Sequence, residues 1–287
     1  MYKIEEEERL ATVEETWLFP EQVSIKPFLK WAGGKTQLLT ELTKYIPNNF
    51  NKYIEPFIGG GAFYFHLNPR KAVIADLNYE LVLTYRTIKQ SVEEVINLLK
   101  TYKNEEGFYY DMRAKNPENL SNIERTARFL YLNKTCFNGL YRVNKKGQFN
   151  VPYGKGSGNF FNSKVLRDSS EFLQNTEIEF ADYSDTLKKH AEKGDFIFLD
   201  PPYYPVGKYG DFKRYTKEFF YNEDQLALKE EFDRLVNLGC HVILTNSNHP
   251  VILDLYKDYE IKTIETRRMI NSDAKKRKGI DVIVIGG

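Results

Sequence analysis

Short apolar runs that end in aspartate recur along the chain, with helical patterns between them. AVIAD (72–76), IEFAD (178–182) and DFIFLD (195–200) are three such runs, and HVILTNS (241–247) is a further apolar run. Runs of this length between amphipathic helices are typical of parallel strands that are covered on both faces. The pattern predicts an α/β fold, with a mostly parallel sheet and helices on both of its faces.

The segments between these runs have apolar residues at every third or fourth position, which predicts helices. YIEPF is a further short strand, and it leads into a glycine loop. EIKTIETR and DVIVIGG form a closing pair whose short connection suits an antiparallel hairpin. The predicted helices are TQLLTELTKYI, NYELVLTYRTIKQSVEEVINLLK, residues 107–134 with a loop at Asn116–Asn122, and Glu223–Leu238.

Charge is distributed unevenly, although the formal net charge is only +1. Residues 134–167 contain seven basic residues and no acid, and residues 267–278 contain six bases against Asp273. Residues 1–24 carry a balance of −5. Two basic segments within a neutral protein indicate a face that binds a polyanion such as nucleic acid, with solvated loops as the alternative. Residues 136–163 lack a helical period and are rich in glycine, asparagine and aromatic residues, which predicts a loop or hairpin.

Several classes of protein are disfavoured by composition. Cys136 and Cys240 cannot build a disulfide framework, and with four histidines they show no metal-ligand spacing, so we expect buried thiols and no metal. The acidic N-terminus does not resemble a signal or transit peptide, and no apolar run is long enough for a membrane span. We therefore expect a cytoplasmic protein that does not contact a membrane.

Two loops that follow strands offer a ligand-binding geometry. The loop Glu55-Pro56-Phe57-Ile58-Gly59-Gly60-Gly61 lets the backbone approach a ligand closely, and a helix N-terminus follows it. Asp76 ends the next strand, where a carboxylate can accept both hydroxyls of a ribose. A tight turn and a helix cap, respectively, are the alternative interpretations.

The tetrapeptide Asp200-Pro201-Pro202-Tyr203 follows the strand FIFL and is the most specific signal. Two prolines fix the backbone and remove two N–H donors, which leaves carbonyl groups that only accept hydrogen bonds. Asp200 adds another acceptor and Tyr203 adds a flat aromatic face. Together they suit a planar group that carries an NH2, whereas a rigid turn is the alternative.

Three segments of the chain together resemble the signature motifs of a known enzyme family. DPPY, EPFIGGG and FLKWAGGK are similar to the three signature motifs of Dam-type DNA adenine-N6 methyltransferases, and their order resembles the alpha arrangement. CFNGLYRVNKKGQFNVPYG resembles the DNA-reading hairpin of that family. The resemblance runs from about Lys26 to the C-terminus and leaves the acidic leader without a role.

The resemblance implies a Rossmann-like class I methyltransferase sheet with an inserted, mostly helical recognition subdomain that carries a hairpin loop. It divides the chain into an acidic extension (1–24), a catalytic domain that binds S-adenosylmethionine (25–80 and 176–287) and a target-recognition subdomain (81–175). The implied catalytic residues are Asp200, Pro201, Pro202 and Tyr203. The implied cofactor-binding residues are Trp31, Lys35, Glu55, Phe57, Gly59, Gly61, Asp76 and Asp200. The implied DNA-binding residues are Lys30, Phe137, Asn138, Arg142, Lys145, Lys146, Pro152 and Lys155.

Within these sets the resemblance implies individual roles. Phe137 matches an aromatic residue that wedges into the base stack, Lys30 and Arg142 match residues that read bases, and Pro152 matches a contact beside a thymine. Lys35 matches a residue that can reach the carboxylate of the cofactor, and Trp31 can pack on the cofactor. No metal is implied.

The activity implied is transfer of a methyl group from S-adenosylmethionine to N6 of a flipped-out adenine in duplex DNA, by direct in-line displacement and within GATC. Two alternatives share part of this pattern. One is an amino-methylase of another target, such as cytosine N4, RNA adenine or a glutamine side chain. The other is an inactive DNA-binding relative, although the motif residues are intact. We expect a monomer, with a restriction endonuclease for the same site as a further partner.

Overall fold

The sheet of the protein has seven strands in the order β3-β2-β1-β4-β5-β7-β6 in a computed structural model. The structure describes residues 25–31, 35, 38–144, 146–156, 158–205, 222–267 and 278–287. The strands are β1 (Tyr53–Glu55), β2 (Ala72–Asp76), β3 (Thr176–Phe180), β4 (Phe196–Leu199), β5 (His241–Ser247), β6 (Glu260–Arg267) and β7 (Lys278–Gly286). Strands β1 to β5 pair in parallel, and β7 lies antiparallel between β5 and β6. The mixed α/β sheet and the closing hairpin are therefore confirmed.

One predicted strand boundary was wrong. IEFAD was expected to end at Asp182, but β3 pairs with β2 from Thr176 to Phe180 and stops there. Asp182 lies two residues further on and accepts a hydrogen bond from the Ser184 N–H at 2.9 Å, which caps the following helix.

Nine α-helices lie within the described residues. They are α1 (Leu39–Leu42), α2 (Ala62–Leu67), α3 (Tyr79–Leu99), α4 (Glu106–Ala114), α5 (Asn122–Thr135), α6 (Ser163–Phe172), α7 (Tyr183–His190), α8 (Asn222–Leu238) and α9 (Pro250–Leu255). The long helix after β2, the helix pair before the basic segment and the helix before β5 were predicted to within a few residues. The sequence patterns did not indicate α6, α7 or α9.

Alternate residues of the strands face two separate hydrophobic cores, as the period of two in a strand requires. On β4, Phe196 and Phe198 pack with α2, α3 and α5 in one core, whereas Ile197 and Leu199 pack with α7, α8 and α9 in the other. Both faces of the sheet are thus covered by helices. No helix in the described ranges combines the length and the apolar character that crossing a bilayer would need.

The chain between β2 and β3 is helical apart from one excursion. Helices α3 to α6 occupy most of residues 79–175, and the hairpin segment (136–156) projects between α5 and α6. Isolated bridges between Cys136 and Tyr153 and between Val143 and Phe149 give this segment its hairpin form. The proposed division into a catalytic domain and an inserted recognition subdomain remains a prediction. The acidic extension (1–24), Lys145, Ala32-Gly33-Gly34 and most of the basic segment before β7 lie outside the described residues.

Candidate active site

Three acidic residues meet at one edge of the sheet because their strands are neighbours. Glu55 ends β1, Asp76 ends the adjacent β2, and Asp200 directly follows β4 on the other side of β1. The carboxyl ends of parallel strands are where α/β folds bind ligands. The sheet order therefore brings together three residues that are up to 145 positions apart in the sequence.

Asp200 is held by two partners on one of its oxygens. The Lys35 ammonium lies 2.6 Å from Asp200 Oδ1, and the Thr245 hydroxyl donates to the same oxygen at 2.7 Å. Lys35 is buried, and its Nζ also lies 4.7 Å from the centre of the Tyr203 ring. Burial is the largest effect and works against the charged ammonium, but the charges and hydrogen bonds of Asp200 and Tyr203 together outweigh it, so the pKa of Lys35 stands above its usual value. Lys35 is thus a buried ion-pair partner rather than a surface charge.

Glu55 is a second buried acid in this cluster. Its side chain accepts a hydrogen bond from the Tyr53 hydroxyl at 2.7 Å. Burial raises the pKa of Glu55 well above its usual range, and the negative charge of Asp200 adds to the effect. This environment favours the neutral carboxylic acid. Sequence reasoning placed Glu55 in the loop but gave no sign of its protonation state, which depends on burial.

The glycine loop fits closely under an aromatic ring. Gly59 has a positive φ of 48°, and a Cβ there would stand 2.9 Å from the Trp31 ring, so only glycine is accommodated without strain. The Gly59 N–H donates to Asp76 Oδ2 at 3.1 Å, and the Gly59 carbonyl accepts from the Tyr85 hydroxyl at 3.0 Å. Gly61 ends the loop as the residue immediately before α2. Gly59 therefore connects the FLKWAGGK segment, through Trp31, with Asp76 at the end of β2.

Asp76 accepts two backbone hydrogen bonds, from the Gly59 N–H and from the Asn78 N–H at 2.9 Å. Burial is the largest effect on this carboxyl and raises its pKa to about 6, against the two N–H donors that lower it. The cap of helix α3 is Asn78, whose side chain accepts from the Leu81 N–H. Asp76 is therefore not the helix cap that was considered as its alternative role.

Phe57 belongs to the glycine loop and packs against the hydrophobic core on the opposite face of the sheet from Trp31. Its ring stacks on that of Tyr183, with centroids 5.1 Å apart and planes at 27°. Sequence reasoning named Phe57 but gave no indication of Tyr183, which begins α7 after an unpredicted helix cap.

The DPPY loop (200–205) is fixed by the end of β5. Asn246 Oδ1 accepts from the Tyr204 N–H at 2.9 Å, and the Ser247 hydroxyl donates to the Tyr204 carbonyl at 2.7 Å. Gln225 of α8 donates to the Pro202 carbonyl at 3.2 Å. None of these side chains was predicted. The only available signal was that HVILTNS ends in polar residues while the rest of the strand is apolar.

The predicted DNA-binding residues other than Lys30 belong to the hairpin segment. Phe137 is 51% exposed although it is a large apolar residue, and Asn138 beside it has a left-handed backbone with φ of 56°. The Phe137 N–H donates to the Pro152 carbonyl at 2.9 Å, which joins the two arms of the hairpin. The predicted DNA-binding residues that are exposed on this segment are Phe137, Asn138, Arg142, Lys146, Pro152 and Lys155.

Arg142 makes two contacts with one residue of the opposite arm. Its Nε donates to Asn150 Oδ1 at 2.8 Å and its Nη2 to the Asn150 carbonyl at 3.2 Å. Since a guanidinium has five N–H donors, three remain for another partner.

Lys30 is built into the base of the same hairpin. Asn133 of α5 accepts from the Lys30 N–H at 2.9 Å and donates to the Lys30 carbonyl at 2.7 Å. The Lys30 side chain runs so close to Gly139 that a Cβ there would lie 2.4 Å from it. Trp31, the next residue, stacks on Tyr141 of the hairpin with centroids 5.2 Å apart. Asn133 and Tyr141 thus join the FLKWAGGK segment to the predicted recognition hairpin. Sequence reasoning assigned no role to either residue.

One group of potential metal ligands occurs among the described residues, away from these strand ends. Glu177 and Glu179 of β3 and His190 of α7 place one ligand atom each within 4.8 Å of one another. The Lys189 ammonium already pairs with Glu179 and lies 3.6 Å from Glu177. A cation would have to compete with this lysine. Cys136 and Cys240 are buried free thiols, as expected.

Comparison with known proteins gives a consistent result over nearly the whole chain. Residues 31–270 match the family described as D12 class N6 adenine-specific DNA methyltransferase. The chain is 41% identical over 273 residues to the Type II methyltransferase M1.LlaDCHI of Lactococcus lactis subsp. cremoris, with 92% of this chain and 96% of that protein covered. It is 39% identical over 279 residues to the Type II methyltransferase M.MjaIII of Methanocaldococcus jannaschii, at 89% and 96% coverage. It is 29% identical over 263 residues to the DNA adenine methylase of Escherichia coli strain K12, at 90% and 94% coverage.

Proposed function

Since the chain belongs to the D12 class of N6 adenine-specific DNA methyltransferases, we propose that the strand-end cluster around Asp200 is its active site and that GATC is its target. The enzyme is an adenine-specific DNA methyltransferase, and DNA is its substrate. The proposal concerns which residues hold the cofactor, which receive the adenine, and which bases are read.

The observation that carries the assignment is the way Asp200 is held. Lys35 and Thr245 both contact Oδ1, while Oδ2 has no partner within the described part of the chain. The Asp200 side chain is 20% exposed, so part of it is accessible to a ligand. Among the described residues the Pro201 carbonyl likewise accepts no hydrogen bond, whereas the Pro202 carbonyl is occupied.

Two acceptors side by side suit the two N–H groups of an exocyclic amine. We assign Asp200 Oδ2 and the Pro201 carbonyl to N6 of the adenine, which fixes the orientation of the nitrogen lone pair. Positioning and a fixed electrostatic environment then lower the barrier. The proton that N6 loses after attack goes to Asp200 or to solvent, and no covalent enzyme intermediate is required.

The family implies S-adenosylmethionine as the methyl donor, a sulfonium whose methyl group is transferred. The residues present suit this group. The close fit of Gly59 under Trp31 brings backbone to the strand ends, and Asp76 is a partly exposed carboxylate beside it. The Lys35 ammonium is a buried positive charge beside Asp200, and we propose that it also attracts the cofactor carboxylate. The proposed cofactor-binding residues are Trp31, Lys35, Glu55, Phe57, Gly59, Gly61, Asp76 and Asp200.

An adenine within a duplex has to leave the base stack to reach such a site. Tyr203, whose ring lies beside Lys35, is proposed to stack on the extruded base, and the exposed Phe137 to fill the gap in the duplex. Lys145, Lys146 and Lys155 are assigned to DNA phosphates.

The proposed target GATC depends on the resemblance of Lys30, Arg142 and Pro152 to base-reading positions. The contact of the Lys30 side chain with Gly139 supports joint action of Lys30 and the hairpin. The protein is to be expressed in a host without adenine methylation, and the methylated adenines are to be sequenced. Methylation at most GATC sites and few others is expected. Methylation mainly outside GATC would reject the target while leaving the enzyme class unchanged.

Two of the similar proteins are named Type II methyltransferases. Their names support the proposal that a restriction endonuclease for the same site accompanies this enzyme. We also propose that the enzyme acts as a monomer.

A further inference from the structure

We propose that Gln225 and Asn246 form a buried amide clamp that positions the DPPY loop for methyl transfer, with Thr245 and Ser247 completing it. The inference rests on the proposed role of that loop in receiving the adenine. Thr245 contacts the side chains of Asp200 and Tyr203, and the other three side chains contact the loop backbone or one another. They are therefore positioning residues.

The end of β5 contacts the DPPY loop at consecutive positions. The Thr245 hydroxyl donates to Asp200 Oδ1, Asn246 Oδ1 accepts from the Tyr204 N–H, and the Ser247 hydroxyl donates to the Tyr204 carbonyl. Since β5 is paired with β4 and β7, its backbone is a rigid support. The loop is thus attached to the sheet on both sides of Tyr203.

The amide pair adds a contact from helix α8. Asn246 Nδ2 donates to Gln225 Oε1 at 3.1 Å, and Gln225 Nε2 donates to the Pro202 carbonyl at 3.2 Å. Both side chains have 0% exposure, so each lost partner would leave a buried polar group unpaired.

The hydrogen bonds of Asn246 fix the orientation of both side-chain amides. Asn246 Oδ1 accepts from two backbone N–H groups, those of Tyr204 and Ser247, so Asn246 Nδ2 has to be the donor to Gln225. Gln225 then presents its own NH2 to the Pro202 carbonyl. If the O and NH2 groups of either side chain were exchanged, two donors or two acceptors would face each other.

The composition of the loop explains the need for such a clamp. Pro201 and Pro202 have no N–H groups, so two consecutive positions after Asp200 offer no backbone donor that could anchor the loop. The clamp occupies the carbonyls of Pro202 and Tyr204 and leaves that of Pro201 available. It thereby selects which carbonyl faces the amine, and misplacement of a reacting group by about 1 Å costs on the order of 100-fold in rate.

The test compares Gln225→Met, which keeps the side-chain length and removes the donor, with Gln174→Met. Gln174 is an exposed glutamine just after α6 whose side-chain amide likewise donates to backbone carbonyls, here those of Lys89 and Ser170. Single-turnover methylation of a hemimethylated duplex, S-adenosylmethionine affinity, DNA affinity and melting temperature are measured for each. A second pair is Ser247→Ala with Ser169→Ala, whose hydroxyl donates to the Val165 carbonyl at 2.7 Å from a buried site.

For Gln225→Met we expect the single-turnover rate to fall by about tenfold or more, with both affinities within about twofold of the wild type. Ser247→Ala is expected to show the same split on a smaller scale, and both control variants to keep the wild-type rate. A rate within twofold of the wild type in folded Gln225→Met, or in Ser247→Ala if Gln225→Met does not fold, would overturn the clamp. The clamp would also be overturned if a loss of S-adenosylmethionine or DNA affinity accounted for the whole fall in the methylation rate.

Asp200→Ala separates this inference from the proposed function. Methyl transfer that survives Asp200→Ala would reject the proposed role of the DPPY loop itself. Transfer that is lost in Asp200→Ala but kept in the Gln225 and Ser247 variants would reject the clamp alone.

Discussion

The two carboxylate oxygens of Asp200 have different proposed roles. One makes a structural contact, and the other takes part in the chemistry. Oδ1 neutralises the buried Lys35 ammonium at 2.6 Å, and Oδ2 is assigned to the adenine amine. Asp200→Ala should therefore lower methyl transfer by about 100-fold or more, because the amine loses an acceptor and Lys35 loses its anchor. Incorporation of a labelled methyl group into duplex DNA measures the effect.

Removal of one member of a buried pair also lowers the free energy of unfolding, here by on the order of 3 kcal/mol. Urea unfolding of the same variant has to be measured to show that the inactive protein is folded. Asp233→Ala is the control, since Asp233 pairs with Lys229 at 2.6 Å on helix α8 and is absent from the proposed site. Near-wild-type incorporation in folded Asp200→Ala would remove Asp200 from the catalytic role.

Asp76 should make cofactor binding depend on pH. Burial raises its pKa to about 6, so the carboxylate takes up a proton as the pH falls through that value. The ionised form is the stronger acceptor for ribose hydroxyls, and S-adenosylmethionine affinity should therefore fall by up to about tenfold between pH 7 and pH 5. Calorimetry across pH 5–8 checks this, with Asp76→Asn as the variant that cannot titrate. The same decline in both proteins would contradict the role of Asp76.

Residues with a chemical role were easier to identify from the sequence than the residues that support them. Asp76 and Asp200 each follow an apolar strand, which a local pattern reveals. Thr245 and Asn246 hold Asp200 and Tyr204 across separations of 45 and 42 residues. No local pattern carries such information, because the pairing depends on β5 lying beside β4.

Among the elements, the strands and long helices were predictable and the short helices were not. α3 and α8 present several turns of apolar periodicity, whereas α9 has only six residues and begins at a proline. α7 depends on the Asp182 cap, which was read instead as the end of a strand. Short helices of this kind are stabilised by tertiary packing and caps rather than by their own periodicity.

The hairpin segment should dominate the salt dependence of DNA binding. Each phosphate contact releases counterions and steepens the plot of log affinity against log salt by about 0.9. Lys145→Ala combined with Lys146→Ala should therefore flatten the slope by up to about 1.8 if both residues contact phosphates. Fluorescence anisotropy over a salt series provides the measurement.

Lys188 and Lys257 supply the matched control for that double variant, since both are exposed lysines outside the hairpin. Their joint replacement by alanine should leave the slope unchanged. An unchanged slope in the hairpin variant, or an equal change in the control, would place the DNA elsewhere on the surface.

At the scale of the whole molecule, the proposed DNA-reading surface is assembled from distant parts of the chain. Lys30 precedes the first strand, and Asn133 and the hairpin belong to the helical segment between β2 and β3. The reciprocal hydrogen bonds of Asn133 and the stacking of Trp31 on Tyr141 connect the two. The proposed base-reading residue Lys30 and the proposed cofactor-binding residue Trp31 are therefore adjacent in a segment that contacts the hairpin directly.

Arg142 provides the test of how this assembled surface reads sequence. Two of its N–H groups hold Asn150, and the three that remain can meet O6 and N7 of a guanine. Arg142→Ala should then cost about 1–3 kcal/mol of discrimination at one base pair of the site, while transfer at near-cognate sites continues. Lys155→Ala serves as the comparison, since a phosphate contact at this exposed lysine would weaken binding evenly across sequences. Methylation rates on duplexes with single substitutions in GATC separate the two patterns, and an even loss across all duplexes in Arg142→Ala would assign this arginine to a phosphate instead.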